Sequence, residues 1–461
     1  MTQSEALNLL MMGNNIYLTG QAGSGKTYLL NEYVKFLKKN KVCVAVTAST
    51  GIAATHLNGI TIHSWSGIKV KKEMTDHDIA RLNANPVTRR RIQAPKVLVI
   101  DEVSMFHSYR LDAVNKLCKI IRNNAQPFGG LQVILCGDFF QLPPVADEGY
   151  PAASFAYKSD AWTELDLKVC YLDEQHRQWD EEFLRVLNDI RSREVNEGTF
   201  EKLAKRLNGV LPNDVYPTKL YSHNADVDAI NNFELEKIDK PEFTYQMVVR
   251  GKKKLVEALK KGCLAPENLV LKEGAVVMFV KNNPGKGYIN GTLGKVVGFD
   301  SDNYPIVKLH SGKEIVVVPG SWILEENDKI LAEISQIPLR LAWAITVHKS
   351  QGMSLDVAEM DLSKAFDYGM GYVALSRLRS LEGLRLLGIN EMAFRVNDEI
   401  GEMDMVFKKL SKEVAAELGQ IGTEELKLRH STFLKGIISK ESGIKSADTL
   451  KDLYNKFFGK K

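Results

Sequence analysis

The spacing of apolar positions changes along the chain in a regular way. Residues 2–12 carry Ala6, Leu7, Leu10 and Met11 at helical intervals and are stopped by Gly13-Asn14-Asn15; the short continuous run Ile16-Tyr17-Leu18 that follows reads as a buried strand. Leu29, Leu30, Tyr33, Val34 and Leu37 then restore the helical period across residues 26–37. The alternation goes on with strands predicted at 42–46, 96–100 and 131–136, the last two separated by a helix whose face is Leu111, Val114, Leu117, Cys118 and Ile121. Continuous apolar strands between amphipathic helices predict a parallel sheet covered on both faces.

A second α/β series starts near residue 171. It comprises a helix with Phe183, Leu184, Leu187 and Ile190, a strand at 219–222, a helix at 225–237 and a strand at 276–280, and it resumes at Leu339 to end on a helix holding Tyr372 and a strand at 384–387. Two stretches break the pattern. Residues 58–95 lose the alternation and read as an insertion in the first unit. Residues 285–335 hold short strands at 294–299, 306–309 and 314–318 separated by Asp300-Ser301-Asp302-Asn303 and Ser311-Gly312, which predicts a small antiparallel barrel. The expected division is 1–57 with 96–170, 171–284 with 336–400, the two insertions, and a helical region at 401–461 in which Leu450, Leu453, Phe457 and Phe458 are candidate anchors.

Composition changes little. With 461 residues the chain is too long for one core, and 61 Lys+Arg against 57 Asp+Glu leave a net charge of +4, so any basic groove has to be local. Five scattered cysteines have no zinc-ligating spacing and read as reduced. Neither a signal peptide nor a membrane-length apolar run is apparent, and a cytoplasmic protein is expected.

The chemistry begins at Gly20-Gln21-Ala22-Gly23-Ser24-Gly25-Lys26-Thr27, a complete phosphate-loop pattern placed between strand and helix. Such a loop turns consecutive backbone N–H groups inward, adds the positive end of a helix, and supplies Lys26 for the β and γ phosphates and the Thr27 hydroxyl for Mg²⁺. The third strand delivers Asp101-Glu102 at its carboxyl end, where a parallel sheet places its chemistry: a carboxylate for the metal and one to polarise the attacking water. Gly137-Asp138-Phe139-Phe140-Gln141 then puts an amide where it can sense the γ phosphate. The hydroxyl-rich segment Thr47 to Ala54 suits a phosphate, although a plain helix cap is the favoured local reading. In the first insertion His63-Ser64-Trp65, Lys69, Lys71, Lys72 and Arg89-Arg90-Arg91 interleave aromatic and basic groups as single-strand-binding surfaces do, and the arginine run alone reads better as a solvated loop.

With these motifs in order, together with Pro127-Phe128-Gly129-Gly130-Leu131-Gln132, Arg177, Thr346 to Gly352 and Ala374 to Arg377, the chain resembles the Pif family of DNA helicases, in the B branch of superfamily one, over residues 3–390. The resemblance implies two tandem RecA-like phosphate-loop NTPase domains, a wedge insertion at 58–95 and an SH3-like barrel at 285–335. It makes Gln3 an adenine contact and assigns the nucleotide to Gly20, Ala22, Gly23, Ser24, Gly25, Lys26, Thr27, Gln351 and Gly352. Thr27 and Asp101 become Mg²⁺ ligands; Glu102, Gln141, Arg177 and Arg377 act on the phosphates; Thr50, Gly51, His63, Ser64, Trp65, Thr346, His348, Lys349 and Ser350 face the DNA strand. The implied protein is a compact bacterial form, a monomer working at the nucleoid, which uses ATP and Mg²⁺ to move 5′ to 3′ on single-stranded DNA and open junctions. Two other classes are weaker. A guanine-nucleotide switch would need an Asp after Asn115-Lys116-Leu117, where Cys118 stands, and a passive strand binder would not need the full set of Lys26, Thr27, Asp101, Glu102 and Arg377.

Overall fold

The computed structural model describes the chain except for residues 58, 69–73, 145–153, 176–179, 212–216, 222–226, 282, 284, 289, 310, 327–328 and 439–461. The expected Arg177 role, the lysines at 69, 71 and 72, and the anchors at 450–458 lie outside the described residues.

The first unit runs α1 (Gln3–Met11), β1 (Ile16–Gly20), α2 (Lys26–Lys39), β2 (Val44–Ala48), α3 (Gly51–His56), β3 (Ile60–Thr61), α4 (Ile62–Ser66), α5 (Asp76–Ala84), α6 (Pro86–Gln93), β4 (Val97–Asp101), α7 (Ser108–Arg122), β5 (Gln132–Cys136), α8 (Asp160–Glu164) and β6 (Lys168–Leu172). Thr2 caps α1 in a reciprocal box with Glu5. The strands form one parallel sheet in the order β3-β2-β4-β5-β1-β6. Every residue of β1, β4 and β5 is buried, as their unbroken apolar runs require, and their adjacency brings Gly20, Asp101 and Gly137 together at one sheet edge. Sequence periodicity places β2 two residues early.

The insertion at 58–95 is mostly helical. Thr61, Thr75 and Asn85 cap α4, α5 and α6, and Ile62, Trp65, Ile79, Leu82 and Ile92 join the main core. Trp65 is therefore removed from the strand-facing set: it is 3% exposed, because helix α4 turns its indole inward.

The second unit comprises α9 (Glu181–Ser192), α10 (Glu197–Ala204), β7 (Thr218–Tyr221), α11 (Val227–Glu236), β8 (Glu242–Gln246), β9 (Val248–Gly251), α12 (Lys253–Gly262), β10 (Asn268–Lys272), β11 (Val276–Phe279), β12 (Leu293–Phe299), β13 (Pro305–Leu309), β14 (Glu314–Val316), β15 (Gly320–Glu326), β16 (Lys329–Gln336), β17 (Leu339–Leu341), β18 (Ala344–Thr346), α13 (Val347–Ser350), β19 (Ala358–Leu362), α14 (Met370–Leu375) and β20 (Leu384–Ile389). Its parallel sheet is β18-β7-β19-β20. β11, expected in that sheet, instead pairs antiparallel with β12 and β17 in a sheet ordered β14-β13-β12-β11-β17, around a separate core containing Val277, Phe279, Val296, Val307 and Leu339. The antiparallel region thus reaches outside 285–335 on both sides, and excising those residues alone would cut through a sheet.

The chain ends, within the described residues, in α15 (Asp398–Gly419) and α16 (Thr423–Ile437), which return to the first unit. Ser411 Oγ accepts from the Tyr171 N–H at 3.0 Å, so α15 covers the free edge of β6, and Lys168 pairs with Glu417 at 3.2 Å. Val414, Leu418 and Leu434 close a core made with Ala6, Leu7, Leu10, Cys170 and Leu172, and the buried His430 ring lies 3.2 Å from the Asn8 carbonyl. No helix among the described residues is long and apolar enough to cross a membrane.

Candidate active site

The loop between β1 and α2 takes its shape from glycine. Gly23 and Gly25 sit at φ 90° and 84°, a region L side chains rarely adopt, and Gly25 is the N-cap that turns the loop into α2. Lys26 Nζ donates to the carbonyls of Gly20 and Gln21, both at 2.9 Å. Desolvation lowers the pKa of this ammonium, and the charges of Asp138, Cys136 and Glu102 oppose that shift. Ser24 is buried, Thr27 is exposed on the first turn of α2, and Gln3 Nε2 reaches the Ser24 carbonyl at 3.4 Å.

Across the sheet edge, Asp101 is 6% exposed and its Oδ1 accepts from the Glu102 N–H at 2.9 Å. Burial raises the Asp101 pKa. Burial, with the Asp101 charge second, pushes the Glu102 carboxyl up to about 7, against the pull of Lys26 and Arg377. Glu102 holds a left-handed backbone (φ 52°, ψ 46°), a costly conformation for a residue with a side chain and one that concentrates at functional sites. Ser49 Oγ steadies it by donating to the Glu102 carbonyl at 2.7 Å. Among the described residues no group of three or more His, Cys, Asp or Glu could hold a metal. One hydroxyl and one carboxylate, Thr27 and Asp101, are the hard-oxygen donors that fit Mg²⁺, an ion that keeps waters and phosphate oxygens as its other ligands.

The second unit reaches directly into this edge. Gln351 Nε2 donates to Glu102 Oε2 at 3.0 Å and to Gln141 Oε1 at 3.4 Å, so one amide from the segment after α13 ties the carboxylate to the expected γ-phosphate sensor. Gly352 follows at φ 77°. Arg377 is 1% exposed; its Nε donates to the Val373 carbonyl and its Nη2 to Ser376 Oγ, each at 2.8 Å. Desolvation lowers its pKa, and Glu102 is the strongest opposing charge.

Two residues at this junction went unassigned in the sequence reading. The Tyr372 hydroxyl accepts from the Ala22 N–H at 3.3 Å and donates to Asp138 Oδ2 at 3.4 Å. Arg191 forms a buried ion pair with Asp138 at 2.8 Å. A signal for Arg191 was present: it lies four residues after Leu187, on the apolar stripe of α9, where a charge needs a buried partner.

Gly369, the N-cap of α14 at φ 74°, lies so close to the sensor turn that a Cβ there would meet the Phe140 carbonyl oxygen at 2.4 Å and that of Gln141 at 2.9 Å. Gly369→Ala is expected to lower ATP turnover on the order of ten- to a hundredfold by holding the two units apart. Steady-state turnover beside a melting curve checks this, and parental turnover in a folded variant would mean that the close approach is not used.

The expected strand-facing residues are partly out of reach. Thr50 Oγ1 accepts from the Ala53 N–H at 3.2 Å, the helix-cap geometry, with Gly51 half-buried beside it. His63 stands edge-on to Phe106 at 5.6 Å, and Ser64 Oγ shares a 2.9 Å hydrogen bond with Thr61. Thr346 and Ser350 are fully buried, contrary to an open strand-facing role in this conformation, since Ser350 Oγ is spent on the Val347 carbonyl. His348 is half-buried, stacks on Phe366 at 6.5 Å and has its pKa lowered by burial. The Lys349 side chain lies outside the described part.

A family model described as PIF1-like helicase matches residues 3–201, and one described as DNA helicase Pif1, 2B domain, matches residues 254–299. The chain is similar to the ATP-dependent DNA helicase Pif1 of Psychrobacter, 44% identical over 94% of this chain and 75% of that protein. Its fold is similar to that of Bacteroides sp Pif1 in complex with ADP-AlF4, with a TM-score of 0.77, 30% identity and coverage of 88% and 96% of the two chains. It is also similar to Bacteroides Pif1 bound to ssDNA, with a TM-score of 0.58, 29% identity and coverage of 88% and 96%.

Proposed function

The chain belongs to the PIF1-like helicases and is an ATP-dependent DNA helicase, and from this premise we propose that it moves 5′ to 3′ along single-stranded DNA, opening duplex at single-strand/duplex junctions. One observation carries the motor reading: Gln351, from the second unit, hydrogen-bonds both Glu102 and Gln141 of the first, so a change in the relation of the units changes the groups around the scissile phosphate.

In this reading the triphosphate lies on the loop N–H groups, with Lys26 leaving its carbonyl partners for the β and γ oxygens. Mg²⁺, held by Thr27 and Asp101, would neutralise charge on those oxygens. Glu102, whose pKa burial raises to about 7, takes the proton of the attacking water, and Gln351 orients its carboxylate. Gln141 reads the γ phosphate, and Arg377 approaches it from the other side of the cleft, with Arg177 assigned to the phosphates by the motif pattern. Gln3 contacts the base. The strand crosses the two units over Thr50, Gly51, His63, Ser64 and His348, with Lys349 as a further strand contact and with Thr346 and Ser350 reached only after the second unit shifts. Residues 285–335, within the antiparallel part of the second unit, supply an SH3-like clamp. We place this activity in the cytoplasm at the nucleoid, performed by a monomer.

The test is ATPase rate with and without single-stranded DNA, followed by unwinding of duplexes with a 5′ or a 3′ tail. Stimulation by the strand and opening of the 5′-tailed substrate alone are expected. ATP hydrolysis indifferent to DNA would return the protein to the switch class, and opening of the 3′-tailed duplex would reverse the polarity.

A further inference from the structure

One guanidinium joins parts of the chain that the motor reading treats separately. Arg191 Nη1 donates to Asp138 Oδ1 and Oδ2, both at 2.8 Å, and to the Tyr372 hydroxyl at 3.1 Å. Its Nη2 donates to the Tyr171 hydroxyl at 2.9 Å and to Asp404 Oδ1 at 3.2 Å. The Phe140 ring lies under its Cζ at 4.0 Å. The Arg191 and Asp138 side chains are 4% and 1% exposed and that of Asp404 is 9% exposed, so the hub is closed to water. Four elements meet there: the turn after β5, strand β6, helix α14 of the second unit and helix α15 of the C-terminal pair.

Arg191 makes no hydrogen bond to the phosphate loop or to the Asp101–Glu102 pair, yet its partners do the work of the site. Asp138 builds the turn that carries Gln141, its carbonyl accepting from the Gln141 N–H at 3.0 Å and its Oδ1 from the Phe140 N–H at 3.2 Å. Tyr372 carries the hub to the Ala22 N–H of the phosphate loop. On the far side Asp404 also pairs with Lys408 at 2.9 Å, on a helix fastened to β6 through Ser411 and Glu417. A guanidinium fork can hold two carboxylates at once, which an ammonium on a single atom cannot do in the same geometry.

We propose that Arg191 is a positioning residue that shares its charge between Asp138 on the nucleotide side and Asp404 on α15, so that the C-terminal helix sets how firmly the two units close on ATP. This rests on the ATP-driven motor reading. Weakening the Asp404 side leaves Arg191 to Asp138 and Tyr372, and the closed arrangement is favoured. Weakening the fork itself releases Tyr372 and the sensor turn, and the closed arrangement is lost.

The two substitutions therefore move the KM for ATP in opposite directions. With saturating single-stranded DNA, Asp404→Asn is expected to lower KM and kcat together by about five- to tenfold, and Arg191→Lys to raise KM by a similar factor. Loss of packing alone would push both the same way, in step with their melting temperatures. If Arg191→Lys does not fold, Tyr372→Phe, which removes only the hydroxyl that reaches the loop, carries the same expectation of a raised KM. KM shifts in one direction for both variants, or in neither, overturn the proposal. A parental protein without DNA-stimulated ATPase would instead overturn the motor reading beneath it.

Discussion

Lys26→Ala is expected to abolish ATP hydrolysis, with a loss of at least about 10²–10³-fold, the scale on which removing one transition-state donor acts. The ammonium is the only side-chain cation of the phosphate loop. It is held ready by two carbonyls of that loop at 2.9 Å, and its desolvation makes its charge act strongly on a nearby phosphate. Its removal should not unfold the protein, since a desolvated charge is lost with it and the β1–α2 core of Ile16, Leu18, Leu29 and Leu30 is untouched. The measurements are ATP turnover, tailed-duplex unwinding, single-strand binding and melting temperature. The first two should vanish, strand binding should persist in part, and melting should stay at or above the parental value. Parental turnover would mean that catalysis happens elsewhere.

The second large effect is expected at Arg377. Arg377→Ala should lower turnover by about 10³-fold or more, as arginine fingers do, and leave nucleotide affinity largely intact. A role in a surface salt bridge is excluded by burial: the residue is 1% exposed and the described ion pairs do not include it. A guanidinium buried away from any carboxylate at bonding distance is expensive to keep, and it suits a site where an anion such as a phosphate arrives. Its side-chain hydrogen bonds run back to Val373 of α14 and to Ser376, the C-cap of that helix, so truncation leaves α14 otherwise supported. Stopped-flow single turnover, with a fluorescent nucleotide titration beside it, separates chemistry from binding. Normal single-turnover rates would exclude the finger role.

The first sheet could be read from sequence because β1, β4 and β5 carry the unbroken apolar runs 16–18, 97–100 and 133–136, and motif order alone placed Gly20, Asp101 and Gln141 at or just beyond neighbouring strand ends. β11 was misplaced for the same reason. Val276 to Phe279 is buried at all four positions, and a short buried run looks alike in a parallel sheet and in a barrel. Trp65 misled because interleaved aromatic and basic residues describe a surface only when the aromatic ring points outward, and the pitch of α4 decides that. Arg191, Tyr372 and Asp404 could not be joined from the chain, since their contacts span hundreds of residues and only the return of α15 to β6 closes the hub.

That return also fixes an order of events during synthesis. The sheet that carries the phosphate loop is finished when Leu172 has left the ribosome, but Val414, Leu418 and Leu434, which close its outer core, emerge more than two hundred residues later. At ordinary elongation rates the apolar side of α1 and the free edge of β6 wait on the order of 10–50 s for their cover. During that interval the ATP-binding half of the motor is a sheet with an open edge, the form in which a nascent chain most needs a chaperone and is most exposed to pairing with its neighbours on a polysome.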